Sequence, residues 1–256
     1  MTDSSSPVGV ICAIPEEIDQ FGSDFRQTTG ERVGGYDFVT GLLEGVPAVL
    51  VEGGMGKVNA GLVATLLADR FACRALLFSG VAGGIDAELG IGDVVVSERL
   101  IQHDYGVMAN QVVEAYQPGH LPFFMPTDRL GYEPPPPLLS KAREALEAVD
   151  LPDLSPEAVG GSPRKPRIRF GTILTGDSFM SCRETRERLY ARFGAQAIEM
   201  EGAAVSQVAE RFGLPCLVIR ALSDMAGEDN NMDFLAFLHE TAACSALVLR
   251  RLLPVI

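Results

Sequence analysis

Seven short runs in this chain are almost continuously apolar and rich in β-branched residues, and this pattern restricts the fold more than any other feature. They are "VGVICAI" (8–14), "VPAVLVE" (46–52), "RALLFSG" (74–80), "GDVVVSE" (92–98), "IRFGTILTG" (168–176), "AQAIEM" (195–200) and "CLVIRALSD" (216–224). A strand with one wet face alternates apolar and polar residues, whereas a continuous apolar run is covered on both faces. The sheet must therefore lie between helices. Helical patterns fall in the gaps. "GKVNAGLVATLLADRF" (56–71) is expected to put Val58, Leu62, Val63, Leu66 and Leu67 on one face. "GAAVSQVAERFG" (202–213) spaces Val205, Val208, Ala209 and Phe212 at helical intervals, with Gly213 as its stop. A closing helix is expected over 234–253. Strands alternating with helices predict a single-domain three-layer α/β/α sandwich over 8–256, behind a polar tail at 1–7.

One segment breaks the rhythm. Eleven of the sixteen prolines fall between Pro118 and Pro166, around a short charged helical pattern at 138–149. The region 107–166 reads as an insertion and not as a second domain. Two readings stay open for it: a segment that skirts the domain edge, partly without fixed structure, or a lid or subunit contact.

Charge and cysteine usage narrow the function classes. A net charge of −13 argues against nucleic acid and anionic membranes, since phosphate recognition needs clustered Lys and Arg. Cys12, Cys73, Cys182, Cys216 and Cys244 are odd in number and scattered, as expected of reduced thiols in a cytoplasmic protein. With three histidines and no Cys-x-x-Cys pair, no metal site is expected. "MTDSSSP" lacks the marks of a secretory signal, and the apolar stretches fall short of a membrane span.

The informative residues are polar groups at the ends of buried strands, where α/β sheets bind ligands. Four places stand out: "AIPEE" with Glu16 and Glu17, the glycine turn "SGVAGG" (79–84), "IEMEG" with Glu199 and Glu201, and "RALSD" with Arg220, Ser223 and Asp224. Each has a plain structural reading. "PEE" suits a helix first turn, "SGVAGG" lacks phosphate-loop spacing, Asp224 suits an N-cap, and Arg220 suits a buried ion pair with Glu199 or Glu201. Together they gather three carboxylates (Glu17, Glu201, Asp224) and one arginine at the ends of one sheet. Such a trio suits cleavage of a ribosyl–base bond: the leaving base takes up a proton, the sugar becomes oxocarbenium-like, and attacking water loses a proton. A carboxylate also suits vicinal ribose hydroxyls.

The pieces "VGVICAIPEEI", "GGMGKVNAG", "SGVAGGIDAELGIGDVVVSE", "HDYG", "TGDSFM" and "AIEMEGAAVSQVAERFGLPCLVIRALSDMAG" resemble, in that order, the 5′-methylthioadenosine/S-adenosylhomocysteine nucleosidases, within the purine nucleoside phosphorylase and uridine phosphorylase superfamily. The resemblance implies a central mixed, partly barrel-like sheet, no metal or organic cofactor, a small nucleoside substrate and a homodimer. It gives Glu17 the activation of water and Asp224 the protonation of adenine N7, with Ser223 beside it. Glu201 would grip the ribose hydroxyls and Met200 pack on the sugar. Phe179 would stack on the base, the Met180 backbone meet the adenine edge, and Phe234 lie over the ribose. Arg220 would order the carboxylates, and Met55, Val81 and Ala82 would line the pocket. Val81 stands where relatives often carry Ser or Thr, which removes a hydroxyl. Glu199 receives no substrate role. Phosphorylases hold phosphate with arginines, one of them in the turn after the first strand. Two glutamates in that turn favour water as the nucleophile on charge alone.

Overall fold

The computed structural model describes residues 6–22, 24–156, 165–227 and 230–256, the side chains of 230–236 lying outside the description. The expected tail at 1–7 therefore lies mostly outside the described residues. Strand β1 (Val8–Cys12) runs into a one-turn helix, α1 (Pro15–Ile18). Three antiparallel strands follow, β2 (Arg26–Val33), β3 (Tyr36–Leu43) and β4 (Val46–Glu52). Then come α2 (Lys57–Asp69), β5 (Ala75–Gly84), β6 (Val94–Gln102) and the hairpin β7 (Gly106–Ala109) with β8 (Val112–Ala115). The chain closes with α3 (Pro136–Leu146), β9 (Ile168–Thr175), α4 (Arg183–Phe193), β10 (Ala197–Glu199), α5 (Gly202–Phe212), β11 (Cys216–Asp224) and α6 (Asn230–Leu252).

Among the described residues, nine strands form one sheet in the order β10-β9-β6-β11-β5-β1-β4-β3-β2. Strand β10 also pairs antiparallel with β5, at Ala197↔Gly84 and Ile198↔Gly83. That second pairing closes β10, β9, β6, β11 and β5 into a ring, while β1 to β4 continue as an open wing. The sheet is mixed: β1, β4, β5 and β11 run parallel, and β6 crosses β11 antiparallel. The expected mixed, partly barrel-like sheet is present.

Two apolar layers cover it. Val8, Val10 and Cys12 of β1 and Leu217, Ile219 and Ala221 of β11 pack toward α3 and α6. The alternate residues Ile11, Val218 and Leu222 pack toward α2 and α5. This period-two division of continuously apolar strands is the three-layer arrangement the runs predict.

Several elements differ from the expectation, each for a physical reason. Strand β2 is exposed along nearly its whole length, so "RQTTGERV" carries no apolar signal. Helix α4 buries only Leu189 among its residues, which leaves a polar pattern that reads as loop. The β7–β8 turn rests on positive φ at Asn110 (49°) and Gln111 (64°), with no glycine to announce it. On α2 the buried face is Ala60, Val63, Ala64 and Leu67; Val58 is 84% exposed and Leu62 45%. The proline-rich segment does more than skirt the domain edge. Leu138, Ala142, Leu146, Leu151 and Leu154 enter the same core layer as α6, and Glu240 of α6 accepts hydrogen bonds from the Ser155 amide and hydroxyl, each at 2.7 Å.

Candidate active site

The ends of β1, β5, β10 and β11 and the turn after β9 converge on one pocket. It brings together Glu17, Met55, Val81, Ala82, Phe179, Met180, Met200, Glu201, Ser223 and Asp224. Arg220 is fully buried and lies beneath the lining. Phe234 falls on α6 with its side chain outside the described residues. Ile14 and Ser178 also line the pocket, although no separate signal in the sequence marks them.

Glu17 is held by backbone. The strand-to-helix turn points this one residue of α1 inward, where it is 3% exposed. Its Oε2 accepts from the Ala13 amide at 2.7 Å and its Oε1 from the Val81 amide at 2.9 Å. Burial raises its pKa above the ordinary carboxylate value, against the opposing pull of Arg220 and these amides. A carboxylate whose proton affinity is raised by burial, yet fixed in direction, is suited to accept a proton from water.

Asp224 owes its aim to an irregularity in pairing. The β11–β5 register shifts between Leu222 and Asp224, which leaves Ser223 as an extra residue and sets Asp224 opposite Gly83. Asp224 Oδ1 accepts from the Ala226 amide at 2.8 Å, and Ser223 Oγ donates to Oδ2 at 3.0 Å. Gly83 keeps the approach open, since a Cβ there would lie 3.1 Å from Asp224 Oδ1.

The two glutamates of "IEMEG" part company. Glu199 is saturated by protein groups: its Oε2 accepts from the Glu201 amide at 3.1 Å, the Gly202 amide at 2.7 Å and both Nε and Nη2 of Arg220. Its Oε1 accepts from Thr175 Oγ1, whose oxygen in turn accepts from the Ala203 amide at 2.9 Å. Helix α5 has no capping side chain at its own N-cap, so Glu199 and Thr175 satisfy its first amides from neighbouring strands. Glu201 is less engaged, accepting from the Gly56 amide at 2.7 Å and lying 3.3 Å from Arg220 Nη2. Burial and the neighbouring Glu199 charge push Glu201 up to about 7.

Among the described residues, Arg220 is the cation that faces Glu199, Glu201 and Glu17, and its guanidinium carbon lies 4.0 Å from the centroid of the Phe78 ring. Gly80, opposite Arg220 in the β5–β11 pairing, leaves the room it needs. A Cβ at Gly80 would overlap Arg220 Nη1 and lie 2.5 Å from Glu17 Oε1. Among the described residues, the lining holds Glu17, Glu199, Glu201 and Asp224 and no lysine or arginine. Such a pocket repels an anion and favours groups that donate protons or hydrogen bonds.

Known proteins resemble this chain along nearly its whole length. A family model described as the Phosphorylase superfamily matches residues 7–254. A 5′-methylthioadenosine/S-adenosylhomocysteine nucleosidase of Mycobacterium bovis is 50% identical over 249 residues, covering 97% of each chain. The nucleosidase of the same name from S. pneumoniae, solved with the transition-state inhibitor MT-ImmA, superposes with a TM-score of 0.80 at 32% identity, covering 96% of this chain and 98% of that one. The futalosine hydrolase of Helicobacter pylori superposes at 0.82 with 29% identity, covering 98% and 99%. The chain belongs to the phosphorylase superfamily and, within it, to the 5′-methylthioadenosine/S-adenosylhomocysteine nucleosidases.

Proposed function

We propose that this protein hydrolyses the N-glycosidic bond of 5′-methylthioadenosine and S-adenosylhomocysteine, releasing adenine. The observation that carries this reading is Glu17: a buried carboxylate fixed by two backbone amides in a pocket lined by carboxylates, in the place where a phosphorylase would need positive charge. Asp224 donates a proton to N7 of adenine as the C1′–N9 electron pair moves into the base. Glu17 takes a proton from the water whose oxygen bonds to C1′. Glu201 accepts from the ribose hydroxyls, Met200 packs on the sugar, and Arg220 holds the carboxylates in order. Phe179 stacks on the base, the Met180 backbone meets its edge, and Ser223 orients Asp224. Met55, Val81 and Ala82 shape the remaining wall. Val81 packs with Leu238 and Ala242 of α6 and with Ile14, which makes this wall apolar.

A homodimer is part of the same proposal, supported by the exposed apolar residues Val58 and Leu62 on α2 and Phe212 at the end of α5. A cytoplasmic setting is supported by the five free cysteines, four of them buried. The test is a panel of nucleosides with different 5′ groups and bases, futalosine included, with products identified in the presence and absence of phosphate. Release of adenine from methylthioadenosine and adenosylhomocysteine without phosphate is expected. Preferential cleavage of futalosine would reassign the substrate, and a requirement for phosphate would defeat the hydrolase reading.

A further inference from the structure

Three loops that carry or adjoin pocket residues are fastened together by a cluster that the proposed chemistry does not use. Lys57 opens α2. Its ammonium lies 2.6 Å from Asp104 Oδ1, on the turn after β6, and 3.5 Å from Asp177 Oδ2, on the turn after β9. The Lys57 amide donates to Asp177 Oδ1 at 2.8 Å, and the Asp177 amide donates to Asp104 Oδ2 at 2.9 Å. One residue earlier, the Gly56 amide donates to Glu201 Oε1 at 2.7 Å. Helix α2 has no capping side chain of its own, so carboxylates from other elements satisfy its first amides.

The consequence lies in where those carboxylates come from. Glu201 belongs to the sugar side of the pocket, whereas Asp177 stands two residues before Phe179 on the base side. Consecutive amides at one helix start therefore reach both sides. The Lys57 side chain is 17% exposed, so its attraction to the two aspartates is only partly screened. Burial works to raise the Asp104 carboxyl, yet the Lys57 ammonium and the Asp177 amide bring it below its ordinary value. Removing the cation would leave two carboxylates bridged by one amide and repelling each other. The turn has little slack on its other side, because a Cβ at Gly176 would overlap His103 Nε2.

We infer that Lys57 and Asp104 are positioning residues that lock the base-stacking turn at 176–180 to the ribose-holding start of α2. The inference deepens the nucleosidase reading and rests on it for the assignment of the two sides. Its test compares four proteins: wild type, Lys57→Met, Lys57→Arg and the double variant Lys57→Met/Asp104→Asn. Each is measured for kcat and KM on methylthioadenosine, for adenine affinity by calorimetry, and for thermal melting. Lys57→Met is expected to raise KM and weaken adenine binding by about tenfold each, with kcat nearly unchanged. Lys57→Arg keeps the cation and the double variant removes the repulsion, so both recover most of the loss. Adenine affinity and KM within about twofold of wild type in Lys57→Met would overturn the inference. So would a loss confined to kcat, or a double variant worse than the single one. A wild type that cleaves no adenine nucleoside defeats the functional reading instead, and adenine affinity across the four proteins still decides this one.

Discussion

Glu17, Asp224 and Glu201 have different surroundings, and their variants are expected to differ accordingly. Glu17→Gln and Asp224→Asn each remove one proton-transfer group at nearly constant size, though Glu17→Gln also turns an amide nitrogen toward one of the two backbone N–H groups that the carboxylate accepts from. Each is expected to lower kcat by about 10²–10⁴-fold with an unchanged circular-dichroism spectrum; single-turnover adenine release checks this, and an unchanged rate would refute the role. Glu201 behaves otherwise, because burial and Glu199 raise its pKa to about 7 in the folded chain. The folded state then holds more protons than the unfolded state from the ordinary carboxylate value up to about 7. Its stabilising contribution is present at lower pH and is lost as pH rises through about 7. Glu201→Gln removes this penalty, so it should raise the melting temperature more at pH 8 than at pH 5, read by calorimetry. The same substitution should weaken ribose recognition and reduce discrimination against 2′-deoxy substrates. In the wild type, kcat/KM should rise as Glu201 ionises, since the carboxylate is the better acceptor for ribose hydroxyls.

At the scale of elements, Glu199 ties β9, β10, β11 and the start of α5 together through Thr175, Arg220 and the Gly202 amide. Glu199→Gln should therefore destabilise the fold, by about 3–5 kcal/mol if Arg220 is left without its principal partner. Denaturant titration gives the number, and the contrast with Glu201→Gln is the informative part. Gly80→Ala should cost about 1–3 kcal/mol through overpacking between β5 and β11. It should also lower activity, because its Cβ would press on both Arg220 and Glu17. These ties were only partly legible in the sequence. The buried strands were, since β4 and β11 begin and end where their apolar runs do. The convergence of strand-end carboxylates was legible too, because apolar runs that stop at Glu or Asp mark the ends of a covered sheet. What the pattern hides is pairing across distance. Nothing local says that β10 meets β5 as well as β9, that Glu199 caps α5, or that Lys57 faces Asp104 and Asp177. Polar elements such as β2 and α4 are silent for a simpler reason: they bury too little to impose a period.

For the whole molecule, the outer face of α2 and α5 departs most from the sequence pattern. Val58 and Leu62 read as core by spacing, yet they stand in water on the single chain, with Val58 and Phe212 lining one surface groove. Exposed apolar residues grouped on one helical face mark a place where another surface packs. Under the homodimer proposal, Val58→Asp combined with Phe212→Asp should yield a monomer by sedimentation velocity, while the unmodified chain sediments as a dimer. The nucleophile is identified by cleavage of methylthioadenosine in phosphate-free H₂¹⁸O, and again with phosphate added, with the sugar product analysed by mass spectrometry. Adenine together with free methylthioribose carrying ¹⁸O at C1′ is expected, with no change in rate on adding phosphate. A methylthioribose 1-phosphate product, or adenine release only once phosphate is supplied, would contradict the hydrolase reading.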